Sequence, residues 1–235
     1  MKDLFGQAIL DYQTENNAEN LYTETSISEL DVMPIDYLFR EYDEMPDIEQ
    51  KALILAKGKV LDVGTGAGSH TLYLQGKGFD VKAIDISPKA IEACQLRGVK
   101  NAETINLLDL NEEEKFDTIL LLMNGTGIFQ NLLVIGAYLE KLKNLLTPNG
   151  QVLIDGTDIL YMFDDDDDGG KWIPGDRNYY GEVDFIVHYK GLVDDPIEWL
   201  YLDFETLKNA CEHHGLNCKQ IRKEEDSYLA KITIK

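Results

Sequence analysis

The chain has 235 residues, a formal net charge of −21, a hydrophobic fraction of 44% and a mean hydropathy of −0.26. That size and balance fit one α/β domain with room for an insertion, able to bury roughly 70–75% of its unfolded surface. They speak against two classes of partner. No stretch of 18 apolar residues is present, so no membrane-spanning helix is expected. An acidic surface repels the phosphate backbone that Lys and Arg would have to neutralise, so neither nucleic acid nor an anionic membrane is expected as a partner. The three cysteines, Cys94, Cys211 and Cys218, are odd in number and lack Cys-x-x-Cys spacing. The start, Met1-Lys2-Asp3-Leu4-Phe5, lacks the apolar core of a signal peptide. Reduced thiols and a cytoplasmic location follow as expectations.

Residues 1–50 are polar and acidic, with apolar clusters at Phe5, Ile9-Leu10, Leu21-Tyr22 and Met33 to Arg40. The pattern predicts short helices over Pro34 to Tyr42 and Pro46 to Ala56, each opened by a proline where a first turn tolerates it. Next comes Val60-Leu61-Asp62-Val63-Gly64-Thr65-Gly66-Ala67-Gly68: an apolar run entering a glycine-rich turn, then a helix from about Ser69 to Gly76. A second apolar run ends in the acid Asp85, about 20 residues after the first glycine. This is a strand, turn, helix, strand unit of nucleotide-binding type. Glycines at Gly64, Gly66 and Gly68 permit a sharp bend and a close ligand approach. The helix start aims free N–H groups at that ligand. A carboxylate at Asp85 can accept hydrogen bonds from both hydroxyls of a ribose.

Beyond Asp85, Ile86-Ser87-Pro88 opens a helix running to about Leu96, with Ser87 as N-cap. A third strand, Ala102 to Leu107, leads to Leu108 and Asp109. Phe116 to Met123 is a continuous apolar run, read as a strand buried on both faces. It ends in Asn124-Gly125-Thr126-Gly127, at the end of the sheet where open α/β folds place ligands. A helix over Leu132 to Leu146, a strand over Gln151 to Asp155, a helix over Phe204 to His214, and paired strands Cys218 to Arg222 and Ser227 to Ile234 complete the frame. Residues 156–202 form an insertion. Its acidic run Asp164 to Asp168 reads as a solvated loop. Its alternating Val183, Phe185, Val187 and Tyr189 read as a strand pairing with Trp199 to Leu202. No zinc spacing, Walker loop or Gly-x-Ser-x-Gly elbow is found, and no metal is expected.

The glycine spacing narrows the ligand. A dinucleotide fingerprint, Gly-x-Gly-x-x-Gly, would put its third glycine at Ser69, whereas this chain has Gly-x-Gly-x-Gly preceded by Asp62. That pattern resembles the first motif of class I S-adenosylmethionine-dependent methyltransferases, and the motif resemblance runs from about Val60 to Gln130. It implies a doubly wound, mostly parallel seven-stranded sheet of order 3-2-1-4-5-7-6 with strand seven antiparallel, within a single domain spanning 1–235. The segment 1–50 would be an N-terminal helical cap and 156–202 a β-hairpin insertion. The resemblance further implies S-adenosyl-L-methionine as cofactor. Its methionine part would lie on Gly64, Thr65, Gly66 and Gly68, with Asp62 near the amino group. Asp85 and Ile86 would take the ribose side, Leu108 and Asp109 the adenine, and Asn124 would touch cofactor or acceptor.

The expected reaction is methyl transfer to a small-molecule acceptor, held over the carboxyl ends of strands four and five between the N-terminal segment and the insertion. An Asn-Pro-Pro-aromatic motif, frequent in enzymes acting on nucleobase or amide nitrogens, is replaced by Met123-Asn124-Gly125-Thr126-Gly127. His188, Asp155, Asp158 and Tyr161 are candidates for a general base, with none singled out, and Tyr161, Trp172, Tyr179, Tyr180 and Trp199 are candidates for a pocket lining. Three rivals share features of the pattern: a nicotinamide oxidoreductase, an aminopropyltransferase, and a non-catalytic binding module. Oligomeric state is open. The charge makes one direct prediction. On an immobilised nucleic-acid column at physiological salt the protein should elute unretained, and tight, salt-sensitive retention would contradict it.

Overall fold

A computed structural model describes residues 2–165, 170–173, 175 and 177–235. In chain order the elements are α1 (Leu4–Gln13), β1 (Leu21–Thr25), β2 (Ser28–Met33), α2 (Asp47–Leu55), β3 (Val60–Val63), α3 (Ser69–Gly76), β4 (Val81–Asp85), α4 (Pro88–Leu96), β5 (Ala102–Thr104), β6 (Phe116–Leu121), α5 (Ile135–Leu145), β7 (Leu146–Thr157), β8 (Glu182–Tyr189), β9 (Leu192–Val193), β10 (Ile197–Leu200), α6 (Phe204–His213), β11 (Leu216–Glu224) and β12 (Ser227–Ile234). Short 3-10 turns stand at Ile35–Phe39, Tyr42–Glu44, Leu107–Asp109, Gly125–Phe129 and Leu160–Met162.

The main sheet has seven strands in the order β11-β12-β7-β6-β3-β4-β5. It is parallel from β5 to β7, and β12 runs antiparallel to both neighbours. Counted along the chain, this is the 3-2-1-4-5-7-6 order that the glycine motif implies. Successive residues of a strand face opposite layers, which explains the unbroken apolar runs. Leu61, Ile119, Leu121 and Ile154 pack under α5 with Leu139 and Leu142. Their neighbours Val60, Leu120 and Leu153 pack on the other face with Ile48, Ala52 and Leu53 of α2 and Leu74 of α3. Ser87 caps α4, its Oγ accepting from the Ala90 N–H at 3.0 Å, with Pro88 in the first turn.

The N-terminal segment departs from the helical expectation. The helix expected at Pro46 to Ala56 is α2, with Pro46 at its N-cap. The one expected over Pro34 to Tyr42 is two 3-10 turns instead. Residues 21–33 form a β-hairpin that the polar pattern Tyr22-Thr23-Glu24-Thr25 hides. The hairpin is stabilised by a distant partner: β1 pairs antiparallel with β8, so that Tyr22 faces His188 and Thr25 faces Phe185. A second sheet results, with path β10-β8-β1-β2 and β9 attached to β8. The expected pairing of β10 with β8 is present. Leu4, Ala8 and Ile9 of α1 bury with Leu21, Val187 and Tyr189 of this sheet and with Ala90 and Ala93 of α4. Residues 21–33 and 182–200 thus share one sheet, which packs through α1 against α4. Of the acidic run at 164–168, residues 166–168 lie outside the described residues, as does Gly169.

Gly127 joins the two sheets. A Cβ there would sit 1.9 Å from Cε2 of the Trp199 indole, so the ring lies directly on the glycine backbone. Gly127→Ala should therefore destabilise the protein by about 1–3 kcal/mol, the usual cost of overpacking. In a denaturant double-mutant cycle, Trp199→Ala should remove most of that cost. Additive losses would show that the contact is slack.

Candidate active site

The glycine turn leaves β3 at Val63 and is braced on every side. Gly64, Gly66 and Gly68 have φ of +71°, +54° and +82°, the left-handed region that a side chain rarely enters. The N–H groups of Gly64 and Thr65 both donate to the Ile84 carbonyl, at 2.9 and 3.1 Å. Asp62 lies behind the turn, 2% exposed, with Oδ2 accepting from the hydroxyls of Thr65 (2.9 Å) and Thr71 (2.6 Å). Cys94 closes the other side, its thiol donating to the Gly66 carbonyl at 3.2 Å. Burial, with Asp62 and Asp85 nearby, pushes that thiol up to about 12, so it stays protonated as a donor.

Asp85 ends β4 with both oxygens committed. Oδ2 accepts the Gly66 N–H and Oδ1 the Ser87 N–H, each at 2.9 Å. Burial raises its pKa, against those two hydrogen bonds. The Ser87 hydroxyl donates in turn to Asp3 Oδ2 at 3.0 Å, which ties α1 to the same corner.

Two cavities open at the carboxyl ends of the strands. The smaller, about 330 Å³, is walled by Gly64, Asp85, Ile86, Asn106, Ile128 and Trp199 among others. A planar ring has apolar walls there, and a carboxylate stands at one end. Gly64 and Asp85 come together in that wall as the sequence leads one to expect, and Ile86 with them. Leu108 and Asp109 stand outside it; Leu108 is 39% exposed, and the wall is made by Ile105, Asn106 and Leu107. The reason is that β5 stops at Thr104, so the chain crosses the cavity earlier and a 3-10 turn carries Leu108 and Asp109 away. Asn106, whose Oδ1 accepts the Leu108 N–H at 2.9 Å, starts that turn; an Asn before Leu-Leu-Asp is the signal that would have found it.

The larger cavity, about 690 Å³, is walled by Met33, Tyr37 and Glu49 from the N-terminal segment, Met123 and Asn124 after β6, Asp155 and Thr157 at the end of β7, and Glu224, Glu225 and Ser227 around the β11–β12 turn. Asn124 has φ +59° and its Oδ1 accepts the Thr157 hydroxyl at 2.7 Å. Asp155 accepts the N–H groups of Met123 (3.1 Å) and Gly125 (2.8 Å). Burial outweighs those bonds and pushes its carboxyl up to about 6. Among the described residues of 156–202, only Thr157 belongs to this wall, and Ile197, Glu198 and Trp199 line the smaller cavity. Of the other aromatic candidates, Tyr161 and Trp172 are 60% and 64% exposed, and Tyr179 and Tyr180 donate to Asp203 and Asp158. His188 pairs with Glu24 on the second sheet at 2.9 Å. Among the four general-base candidates only Asp155 borders either cavity.

A buried charge network under the larger cavity has no signature in the sequence, because its members are spread over three elements. Glu49 of α2 bonds His70 of α3 at 2.6 Å through Oε2 and Arg40 through Oε1, and Arg40 also donates to the Tyr37 carbonyl. Burial disfavours both charges, but the pairing outweighs it: the Glu49 pKa is lowered and that of His70 raised.

Comparisons with known proteins agree with this fold. Residues 37–221 match a family model described as a methyltransferase domain. The structure superposes with a TM-score of 0.91 on a S-adenosylmethionine-dependent methyltransferase from Bacteroides fragilis in complex with S-adenosyl-L-homocysteine, at 42% identity, covering 99% of this chain and 95% of that one. An uncharacterized methyltransferase from Staphylococcus carnosus is 28% identical over 83% of this chain and 86% of its own. A tRNA U34 carboxymethyltransferase from Shewanella denitrificans is 28% identical over 65% of this chain but only 45% of its own length. The chain belongs to the methyltransferase-domain family and is a class I S-adenosylmethionine-dependent methyltransferase.

The network predicts a pH optimum of stability. His70, with a raised folded pKa, contributes fully below its ordinary value of 6.5 and loses that contribution as pH rises through the folded value. Glu49, with a lowered one, contributes fully above 4.5 and loses it as pH falls. Their joint contribution is therefore complete between 4.5 and 6.5. Comparing urea denaturation of the wild type and His70→Gln across pH should give the largest gap in that window; a gap that grows above it would contradict the pairing.

Proposed function

We propose that the protein transfers the methyl group to a small molecule bound in the larger cavity. S-adenosylmethionine supplies the electrophilic methyl when bound. The residues of the smaller cavity fit its nucleoside: Asp85 offers two carboxylate oxygens for the ribose hydroxyls, and Ile86 and Ile128 offer apolar faces for the adenine. Asn106 and the Leu107 backbone serve the ring edge in place of Leu108 and Asp109. Gly64, on the wall of the smaller cavity, leaves room for the methionine part, Thr65, Gly66 and Gly68 shape the turn behind it, and Asn124 borders the transfer point. Asp62 acts by holding the turn.

The observation that carries this reading is the cavity of about 690 Å³ at the ends of β6 and β7, within the volume range of small-molecule pockets. The N-terminal segment and the β11–β12 turn wall it, giving an acceptor a fixed position. Holding reactants in line can supply roughly 7–11 kcal/mol of the barrier, enough for a transfer without a dedicated nucleophile. A nucleic-acid acceptor is disfavoured by the net charge of −21 and by four carboxylates in the wall. The same charge and the reduced cysteines favour a cytoplasmic setting.

Calorimetry with S-adenosylmethionine and S-adenosylhomocysteine tests the cofactor half. Both should bind near micromolar, about −8 kcal/mol. Asp85→Ala should weaken both by about tenfold or more, because ribose hydroxyls and two backbone N–H groups lose their acceptor. Unchanged affinity would remove Asp85 from the site. For the acceptor half, production of S-adenosylhomocysteine is measured with small-molecule extracts and with bulk tRNA; turnover on tRNA alone would overturn the reading.

A further inference from the structure

We propose that the acceptor is an amine, a small molecule whose primary or secondary nitrogen takes the methyl group beside Asp155. This rests on the small-molecule reading of the larger cavity and deepens it.

The wall of that cavity carries Glu49, Asp155, Glu224 and Glu225, and no Lys or Arg is among its described residues. Two of these charges are already matched. Glu49 is held by Arg40 and His70, and Glu224 by Arg222. Asp155 is different. It is 9% exposed, at the end of a central strand, and its hydrogen bonds come from the backbone of the 123–125 turn; among the described residues no cationic side chain pairs with it. A buried carboxylate without a counter-ion is costly, and a cation brought by the ligand removes that cost. The remaining wall suits a compact organic skeleton: Met33, Ile48, Met123, Pro46 and the Tyr37 ring. Thr157 and Asn124, already hydrogen-bonded to each other, stand beside Asp155 as further polar contacts.

The chemistry has the same sign. The acceptor arrives as an ammonium and gives one proton to the Asp155 carboxylate, which becomes neutral. The nitrogen lone pair then forms the N–C bond as the S–C bond breaks, and that bonding pair stays on sulfur. One positive charge thus moves from sulfur to nitrogen, and the acids of the wall surround the place where it arrives. Asp155 afterwards releases its proton to water. An acceptor that carries a carboxylate or phosphate at this position would meet like charge on several sides.

The test uses the full chain saturated with S-adenosylhomocysteine, titrated by calorimetry with matched pairs: benzylamine against benzyl alcohol, cyclohexylamine against cyclohexanol, and glucosamine against glucose. At least one amine should bind about tenfold or more tightly than its alcohol. Asp155→Asn should erase most of that difference while S-adenosylhomocysteine affinity stays within about twofold. Met33→Lys, which puts a cation into the wall, is the second variant and should abolish amine binding without affecting the alcohols, even if Asp155→Asn fails to fold. Amines that never exceed their alcohols by about threefold overturn the proposal, as does amine binding indifferent to either variant. Loss of S-adenosylmethionine affinity in Asp155→Asn, with amine binding intact, would assign the carboxylate to the sulfonium instead. Each of these outcomes leaves the methyltransferase reading standing. Failure of the wild type to bind S-adenosylhomocysteine would bring down that reading itself.

Discussion

Much of the molecule hangs on one carboxylate. Asp85 receives a backbone N–H from the glycine turn and another from the start of α4, so two loops that diverge from neighbouring strands are held at a common point. Ser87, fixed in this way, reaches Asp3 and so positions α1. Gly6 is the complement of that contact: a Cβ on it would fall 2.0 Å from Ser87 Oγ. From this corner α1 and the second sheet take their position, and with them Ile35 and Leu38, which flank Tyr37 at the mouth of the larger cavity. Burial disfavours the ionised acid and leaves its pKa raised, with the two N–H donors opposing that rise only in part. A ribose would share oxygens that are already oriented, so little ordering would remain to be done on binding.

What the sequence reveals follows the range of the interactions. The alternation of strands and helices is legible because the central strands β3 and β6 are apolar runs and the helices are set off by local punctuation, glycines after β3, Ser87-Pro88 before α4, Asp203 before α6; the order of the seven strands comes from the resemblance that the glycine turn carries. Gly64, Asp85 and Ile86 are legible for the same reason, being read from one contiguous unit. The β1–β2 hairpin is not, since its strands are polar and short and its pairing partner lies far along the chain. That Asn106 and not Leu108 or Asp109 borders the smaller cavity is not legible, because a strand's last residue cannot be placed from pattern to better than a few residues. Arg40, Glu49 and His70 lie on separate elements, so no spacing rule reaches them; only the folded chain brings them together.

The two cavities differ in how they are built. The smaller is mainly a property of the parallel sheet, formed where β3, β4 and β5 release their chains, with one wall borrowed from β10. The larger is assembled from four regions, including the N-terminal segment and the β11–β12 turn. A change in the lengths or side chains of those outer regions would reshape the larger cavity and leave the smaller one nearly intact. The two cavities are therefore built from separable parts of a single chain, an arrangement that lets one fold serve many chemistries.

The second sheet also sets an order of events during synthesis. Glu24 on β1 and His188 on β8 are hydrogen-bonded across 164 residues of chain. The N-terminal hairpin, complete at Met33, leaves the ribosome early but has no neighbour to pair with until β8, which ends at Tyr189 of the 235 residues, has been made. An isolated two-stranded hairpin is marginal in water. Its pairing is thus deferred, and contacts of such long sequence separation are slow to close. The glycine turn and Asp85 require only the first half of the chain. The smaller cavity has its glycine and carboxylate wall early, but Ile197, Glu198 and Trp199 join that wall only when β10 has been made. The wall of the larger cavity waits longer still, because Glu224, Glu225 and Ser227 stand around the last turn of the chain.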